Sequence, residues 1–236
     1  MKKSVELLRI SDLHAFYGES HILHGVDLTV NTGEVVTLLG RNGAGRTTML
    51  RSIIGLVDRR TGSIVYKGRE TIGLPPHKIA RLGIGYCPEE RGIFSRLTCQ
   101  ENLLLPPCVS STGMSVEEIF KMFPNLEERR MSPGSLLSGG EQQMLAVARI
   151  LRTGAQFLLL DEISEGLAPV IVQVLGKTIQ MLREKGYTII MVEQNFNFAA
   201  PLADRLYVME NGVIVEAFTA SEVCTKMEML HELLGV

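Results

Sequence analysis

The chain has 236 residues, of which 45% are hydrophobic and 21% charged, proportions typical of a globular protein. The formal net charge of −2 argues against a nucleic-acid partner, which usually requires a basic excess. No apolar run is as long as a membrane-spanning helix, which needs about 18 residues. The first residues lack the apolar region of a secretory signal.

The spacing of the cysteines and histidines does not indicate a metal site. The cysteines are Cys87, Cys99, Cys108 and Cys224. Without a secretory signal, we expect them to be reduced thiols in a cytosolic compartment. His21 and His24 are three residues apart, but no nearby cysteine or further histidine in the sequence completes a metal site.

Residues 6 to about 40 alternate apolar and polar side chains with turns between them, which predicts short β-strands. Tyr17 and Gly18 interrupt the first pair of strands, and residues 31–34 form a turn before the next one. Tyr17 is either a half-buried strand aromatic or a flat ring on which a purine base stacks.

A glycine-rich stretch links a predicted buried strand at residues 35–39 to a predicted helix at residues 49–54. Such a turn presents backbone N–H groups at a helix N-terminus, where they bind phosphate. The candidate phosphate-binding residues are Gly40, Arg41, Asn42, Gly43, Ala44, Gly45, Arg46, Thr47 and Thr48. Their spacing matches the phosphate loop of nucleotide hydrolases, in which Thr47 places a hydroxyl on Mg²⁺. A plain glycine turn is the alternative, since Arg46 stands where lysine is expected.

The next segment is predicted to contain a polar turn at residues 58–62, a strand at 63–66, a short helix after residue 76 and a strand at 83–86. From about 93 to 135, proline, glycine and serine separate amphipathic helical pieces. This part of the chain is therefore predicted to be a mostly helical insertion without a large core of its own.

Ser138 and Glu141 are spaced as a capping box at the start of an apolar helix. The capping box does not explain Gly139 and Gly140, each of which destabilises a helix by about 1 kcal/mol relative to alanine. We expect something to approach this backbone closely, and an anion at the helix N-terminus is the natural candidate.

Two further stretches predict buried strands of a parallel sheet, at residues 157–160 and 188–192. The first ends at Asp161 and Glu162, at the sheet edge where ligands bind in α/β folds. One carboxylate there can hold Mg²⁺ and the other can polarise an attacking water. Asn-Gly at residues 211–212 predicts a β-hairpin, and a short helix is predicted near 221–234.

Taken together, these motifs resemble those of the nucleotide-binding subunits of ABC transporters over nearly the whole chain. Leu-Ser-Gly-Gly-Glu-Gln at 137–142 is similar to the family's signature sequence, and it accompanies the phosphate loop and Leu-Leu-Leu-Asp-Glu at 158–162. Residues 17–23, 40–43, 165–169 and 192–195 resemble more narrowly the ATPase subunits of importers for branched-chain amino acids and related amides.

The resemblance implies an α/β fold with a phosphate-loop NTPase core, a mostly parallel sheet, an N-terminal antiparallel β-subdomain and a helical insertion. Residues 1–236 would form one ATPase domain. The core and β-subdomain would comprise about 1–88 and 155–236, and the helical subdomain about 89–154.

The resemblance also implies roles in binding ATP and Mg²⁺. Tyr17 would stack on adenine, residues 40–48 and Glu89 would surround the phosphates, and Thr47 and Asp161 would serve Mg²⁺. Glu162 and Gln194 would be catalytic. The signature residues Ser138, Gly139 and Gly140 would complete the ATP site of a second subunit packed head to tail.

Three residues depart from the common family pattern. Arg46 replaces the phosphate-loop lysine, and a planar guanidinium is not equivalent to a compact ammonium against phosphate. Glu89 stands where many members have glutamine, and Gln194 where histidine is usual, although the branched-chain subgroup commonly shows both replacements.

The implied partners are a second ATPase subunit, making a heterodimer rather than a homodimer, two membrane permease subunits and a solute-binding protein outside the membrane. The chain would then lie at the cytoplasmic face of the inner membrane. An alternative is a hydrolysis-poor subunit that mainly completes its partner's site. A soluble ABC protein without a transport role is a third hypothesis. The sequence does not identify the solute.

Overall fold

The computed structural model describes residues 5–223. The strands are β1 (Glu6–Tyr17), β2 (Ser20–Asn31), β3 (Val35–Gly40), β4 (Arg59–Tyr66), β5 (Arg69–Glu70), β6 (Ile84–Cys87), β7 (Phe157–Asp161), β8 (Thr188–Val192), β9 (Arg205–Glu210) and β10 (Val213–Thr219). The helices are α1 (Arg46–Ile54), α2 (Pro76–Ala80), α3 (Cys99–Leu104), α4 (Val116–Met122), α5 (Pro124–Glu128), α6 (Gly139–Thr153), α7 (Pro169–Glu184), α8 (Phe196–Ala199) and α9 (Ala220–Val223).

The larger sheet has the strand order β10-β9-β3-β8-β7-β6. Its strands are parallel except for β10, which pairs antiparallel with β9 across the predicted Asn-Gly hairpin. Every residue of β3, β7 and β8 is buried, as expected of parallel strands covered on both faces. The predicted α/β class with a mostly parallel sheet is confirmed.

The second sheet is antiparallel, with the order β2-β1-β4-β5, and confirms the predicted N-terminal β-subdomain. Its strands are longer than the sequence pattern predicted, since β1 and β2 have 12 residues each and form one hairpin. Irregularities in their register break the alternation of apolar and polar residues, which explains why the sequence suggested shorter pieces.

The predicted turn at residues 58–62 is wrong, because β4 already begins at Arg59. Gly62 has φ +99°, and a Cβ atom there would lie 2.2 Å from the backbone oxygen of Asp12. The glycine therefore marks a close approach of β4 to β1 rather than the end of a loop.

The two faces of the larger sheet belong to different hydrophobic clusters. Leu158 and Leu160 of β7 pack in one cluster with α3, α4, α6 and α7. Phe157 and Leu159 face the other cluster, which contains α1 and the antiparallel sheet. The helical pieces between β6 and β7 thus share their core with the sheet. The subdomain boundaries near residues 89 and 154 stay a prediction.

Among residues 5–223, no helix has both the length and the apolar character needed to cross a membrane. Of the helix predicted near 221–234, the structure describes only the residues in α9, Ala220–Val223, and residues 224–234 lie outside the described part of the chain.

The close approach at Gly62 predicts that Gly62→Ala is strongly destabilising. Gly68→Ala is the matched control, because Gly68 also has positive φ, +74°, but a Cβ there meets nothing within 4 Å. The control should lose about 1–2 kcal/mol for its left-handed backbone, and Gly62→Ala clearly more. Urea unfolding measures both, and equal losses would contradict the packing described for Gly62.

Candidate nucleotide site

The predicted phosphate loop runs from the end of β3 to the start of α1. Gly40 has φ +157°, and a Cβ atom there would lie 2.4 Å from the backbone oxygen of Met209, so only glycine fits this entry to the loop. Gly45 is the N-terminal cap of α1 and makes no side-chain capping hydrogen bond. The first N–H groups of α1 are thus available to an anion.

A cavity of about 420 Å³ lies over this loop. It is lined by Ile22, Asn42, Gly43, Ala44, Gly45, Arg46, Thr47, Thr48, Glu89, Glu162, Glu165 and Gln194. Most of the predicted site residues are therefore brought together around one space. Glu165 also lines the cavity. The sequence did not lead us to predict it as a site residue, although its position three residues after Glu162 could have indicated it.

Arg46 is buried, with only 4% of its surface exposed. Its guanidinium donates to Glu162 Oε1 at 2.7 Å, to the backbone oxygen of Glu193 at 2.8 Å and to Asn42 Oδ1 at 3.3 Å. The planar head group thus bridges the loop and the ends of β7 and β8. A single ammonium at the end of a lysine side chain does not match this fork of acceptors.

Glu162 follows β7 with φ +47°, an uncommon value for a residue other than glycine. Such strained positions cluster at functional sites. Its second carboxylate oxygen accepts from Gln194 Nε2 at 3.0 Å, and the same amide donates to Asn42 Oδ1 at 2.6 Å. Burial raises the pKa of Glu162, and a hydrogen bond with Glu165 adds to that rise, while Arg46 opposes it.

Asp161 is fully buried and accepts two side-chain hydrogen bonds, from Thr47 Oγ1 at 3.0 Å and from the Tyr86 hydroxyl at 2.9 Å. Burial raises the pKa of Asp161, and these two hydrogen bonds oppose that rise. The predicted Mg²⁺ residues, Thr47 and Asp161, are thus in direct contact. Their hydroxyl and carboxylate oxygens are the hard ligands that Mg²⁺ prefers.

Glu89, Glu162 and Glu165 each place a carboxylate oxygen within 4.8 Å of the others. The pKa of Glu89 is raised by partial burial first and then by the charges of Glu162 and Asp161. An anionic phosphate chain enters this crowded negative region favourably only together with a cation, so the donor set of the cavity fits a divalent ion.

The predicted capping box at the start of α6 is present. Ser138 accepts from the Glu141 N–H at 3.3 Å, and the Glu141 carboxylate accepts from the Ser138 N–H at 2.6 Å. A Cβ on Gly139 would lie 3.3 Å from Arg91, and one on Gly140 would lie 2.8 Å from Ile171. Side chains of the same chain therefore approach these glycines, and no anion is required to explain them. Within the described chain, the signature residues lie outside the wall of the phosphate-loop cavity.

Tyr17 is half-buried at the end of β1 and, within the described chain, lies outside that wall. Its hydroxyl interacts with Arg51, whose pKa is raised by hydrogen bonds to Tyr86 first and then to Tyr17. Among the described residues, Tyr17 and the phosphate loop therefore do not line one pocket.

Glu193 is a buried carboxyl group next to the site that the sequence did not lead us to predict. Its carboxylate accepts from Ser164 Oγ at 2.6 Å and from the Ser164 N–H at 3.1 Å. Burial raises its pKa from the ordinary value of 4.5 to about 7, against the opposing effect of Ser164. Because its backbone oxygen holds Arg46, this residue connects β8 to the ion pair.

A parallel sheet, a glycine loop leading into α1 and an aspartate bonded to the loop threonine together define a nucleotide-binding class of protein. The sequence model of the ABC transporter family matches residues 23–165. The chain belongs to this family. It is an ATP-binding ABC ATPase, in which ATP hydrolysis is coupled to transport.

Three curated relatives cover most of the chain. The high-affinity branched-chain amino acid transport ATP-binding protein BraG of Pseudomonas aeruginosa is 42% identical over 97% of this chain and 100% of its own length. The lipopolysaccharide export system ATP-binding protein LptB of Haemophilus influenzae is 34% identical over 98% of both chains. The probable branched-chain amino acid transport ATP-binding protein LivF of Archaeoglobus fulgidus is 34% identical over 92% of this chain and 94% of its own.

Solved structures agree with the fold. An ATP-binding subunit of an ABC transporter is 27% identical, with a TM-score of 0.80, covering 98% of this chain and 100% of its own. A dimeric post-hydrolysis ATP-binding cassette bound to ADP and Pi is 26% identical, with a TM-score of 0.77, covering 91% of this chain and 99% of its own.

The buried Glu193 predicts a pH-dependent stability difference. A carboxyl whose pKa is raised on folding holds extra protons in the folded state, so its contribution to stability is lost as pH rises from 4.5 towards about 7. Glu193→Gln removes this loss. Between pH 5.5 and 8 the variant should gain about 2 kcal/mol relative to the parent.

Urea unfolding at both pH values measures this gain, with the exposed Glu210→Gln as control. A Glu193→Gln variant whose stability follows the parent at both pH values would show that Glu193 is not a buried, proton-binding group.

Proposed function

We propose that the chain is the ATP-hydrolysing subunit of a membrane importer for branched-chain amino acids. The observation that carries this proposal is the 42% identity to BraG across essentially the full length of both chains. A second candidate is an export subunit, because the LptB relative, at 34%, is as similar to this chain as LivF is.

In the proposed mechanism, the phosphates of ATP lie on the N–H groups of residues 40–48 and the N-terminus of α1. Arg46 exchanges the carboxylate of Glu162 for phosphate oxygens. A guanidinium binds either anion, the planar carboxylate or the tetrahedral phosphate, through charge-assisted hydrogen bonds. Thr47 and Asp161 would hold Mg²⁺, which would neutralise charge on the phosphates. Glu89 lies across the cavity and adds a further oxygen to this region.

Glu162 is released when Arg46 turns to the phosphate. Its carboxylate, whose pKa burial raises, is then free to accept a proton from the attacking water. Gln194 already donates to Glu162, so its amide can orient that carboxylate or the γ-phosphate. On this proposal, the carboxylate of Glu162 becomes free to act only when nucleotide is bound.

We infer a head-to-tail dimer in which Ser138, Gly139 and Gly140 serve the second subunit's ATP. Their position outside the wall of the cavity in their own chain supports this arrangement, as does the dimeric form of the similar ADP- and Pi-bound cassette. Tyr17 would stack on adenine after leaving Arg51. We propose a heterodimer that docks on two permeases at the cytoplasmic face of the membrane and receives solute from a separate binding protein.

The Arg46–Glu162 pair also favours the alternative of a hydrolysis-poor subunit, because the catalytic carboxylate is neutralised while the pair persists. A steady-state ATPase assay of the chain, alone and with its partner subunit, separates the two hypotheses. Substrate class is tested with the purified transporter in proteoliposomes. On our proposal, leucine with its binding protein stimulates ATP hydrolysis and is imported, and lipopolysaccharide does neither. The reverse pattern would favour the exporter.

The first prediction from this mechanism concerns Glu162→Gln, which keeps the shape of the side chain and removes its charge. ATP should still bind, while hydrolysis should fall by about 10²-fold or more, the scale of a lost general base. Glu165→Gln is the matched control in the same carboxylate cluster and should retain most of the turnover. If Glu162→Gln hydrolyses ATP as fast as Glu165→Gln and the parent, Glu162 is not part of the mechanism.

The second prediction concerns Arg46→Lys. Much of the phosphate grip comes from backbone N–H groups that this change leaves in place, and a lysine cannot hold Glu162 and the Glu193 oxygen together. Turnover should therefore rise more than ATP affinity, measured as kcat and Kd. Arg69→Lys, at an exposed position of β5 outside the lining of the cavity, should change neither. A slower Arg46→Lys enzyme would show that arginine is adapted to this position.

A further inference from the structure

Three histidines lie together outside the nucleotide site, on the hairpin formed by β1 and β2. The sequence placed only His21 and His24 near each other, but the strand pairing sets His14 directly opposite His24. His14 Nδ1 is 3.1 Å from His21 Nε2, and the rings of His21 and His24 have their centroids 4.0 Å apart. This histidine cluster, defined as His14, His21 and His24, has no role in the proposed ATP chemistry.

An acidic side chain fixes the orientation of His14. Asp12 Oδ1 lies 3.2 Å from His14 Nε2, and since a carboxylate only accepts, His14 carries its proton on Nε2. Nδ1 is then the ring nitrogen of His14 with a free lone pair, and it lies on the side of the ring near His21. Asp12 is itself positioned by its left-handed backbone, φ +48°, and by its N–H bond to Asp27 Oδ1 at 3.1 Å.

His21 is positioned by aromatic stacking. Its ring stacks on Phe16 at 4.2 Å with an interplanar angle of 12°, and the guanidinium of Arg59 lies 4.0 Å from the centre of the Phe16 ring. The pKa of His21 is lowered by partial desolvation first and then by the nearby His24, with His14 and Arg59 acting in the same direction.

We propose that His14 Nδ1 and His21 Nε2 form a two-histidine site for a divalent transition-metal ion such as Ni²⁺ or Zn²⁺. Two nitrogen ligands at about 2.1 Å from a metal lie about 3.0–3.4 Å apart for angles between square and tetrahedral. The 3.1 Å separation matches that bite. The carboxylate of Asp12 accepts from the other ring nitrogen of His14, a contact that commonly orients a metal-binding histidine. Imidazole suits both ions.

Without a metal ion, the short contact is a hydrogen bond from His21 Nε2–H to His14 Nδ1, which is the competing explanation. The two explanations differ in what the histidines bind. A simple hydrogen-bonded pair has no special affinity for Ni²⁺, whereas a chelate with an oriented ligand binds it more tightly than an isolated surface histidine does.

The test is titration of Ni²⁺ into the tag-free, nucleotide-free full chain by isothermal calorimetry. The parent should bind one ion that both His14→Gln and His21→Gln lose. Asp12→Asn should weaken this binding by about 10-fold or more, since asparagine tolerates the left-handed backbone but accepts more weakly. His77→Gln is the matched control, because His77 is exposed on α2, away from the cluster, and should bind as the parent does.

Retention of the same site in both His14→Gln and His21→Gln would overturn the proposal and assign the ion to other groups, such as the carboxylates around the phosphate loop. Histidine NMR spectra of the parent with substoichiometric Ni²⁺ give a second readout that does not depend on variants. The His14 and His21 ring signals should broaden before that of His77. Uniform broadening, or none, would also contradict the proposal.

Discussion

The buried ion pair between Arg46 and Glu162 ties the phosphate loop to the carboxyl end of β7, and through the Glu193 backbone oxygen to β8. Removing one partner of a buried pair leaves an uncompensated charge and typically destabilises by about 3–5 kcal/mol. The site is thus stable without nucleotide because its buried cation and the carboxylate of Glu162 satisfy each other. In the mechanism we propose, ATP supplies the replacement anion, which links binding of the nucleotide to release of Glu162.

The surrounding charges follow from the same constraint. Glu89 and Glu165 lie beside Glu162, and Asp161 is buried beneath it. Arg46 offsets only part of this negative charge, so a bound triphosphate needs a further cation. Thr47 and Asp161, which are hydrogen-bonded to each other, offer oxygen ligands for this cation. The unusual arginine and the acidic wall are thereby parts of one electrostatic arrangement, and we propose that the guanidinium holds the carboxylate of Glu162 until phosphate takes its place.

Much of the fold could be predicted from the sequence because its signals are local. A few consecutive residues are enough to predict the buried strands β3, β7 and β8, from their apolar runs, and the turn between β9 and β10, from Asn-Gly. The contact of Thr47 with Asp161 followed from motif resemblance. The Arg46–Glu162 pair did not, because it joins residues 116 positions apart through side-chain rotamers that no spacing encodes. Gly62 was misjudged and the part of Ile171 in the close approach at Gly140 was not foreseen for the same reason, since the contact is made by a residue far away in the sequence. The contact of His14 with His21 was overlooked because it depends on the pairing of β1 with β2.

The most direct test of this account is a double-mutant cycle on the free energy of unfolding, using Arg46→Met, Glu162→Gln and the double variant. The cycle cancels the contacts of Arg46 with Asn42 and the Glu193 oxygen and isolates its interaction with Glu162. The account predicts a coupling energy of about 1–3 kcal/mol without nucleotide, and a clearly smaller one with saturating ATP. Additive effects in the nucleotide-free protein, or coupling that ATP leaves unchanged, would contradict it.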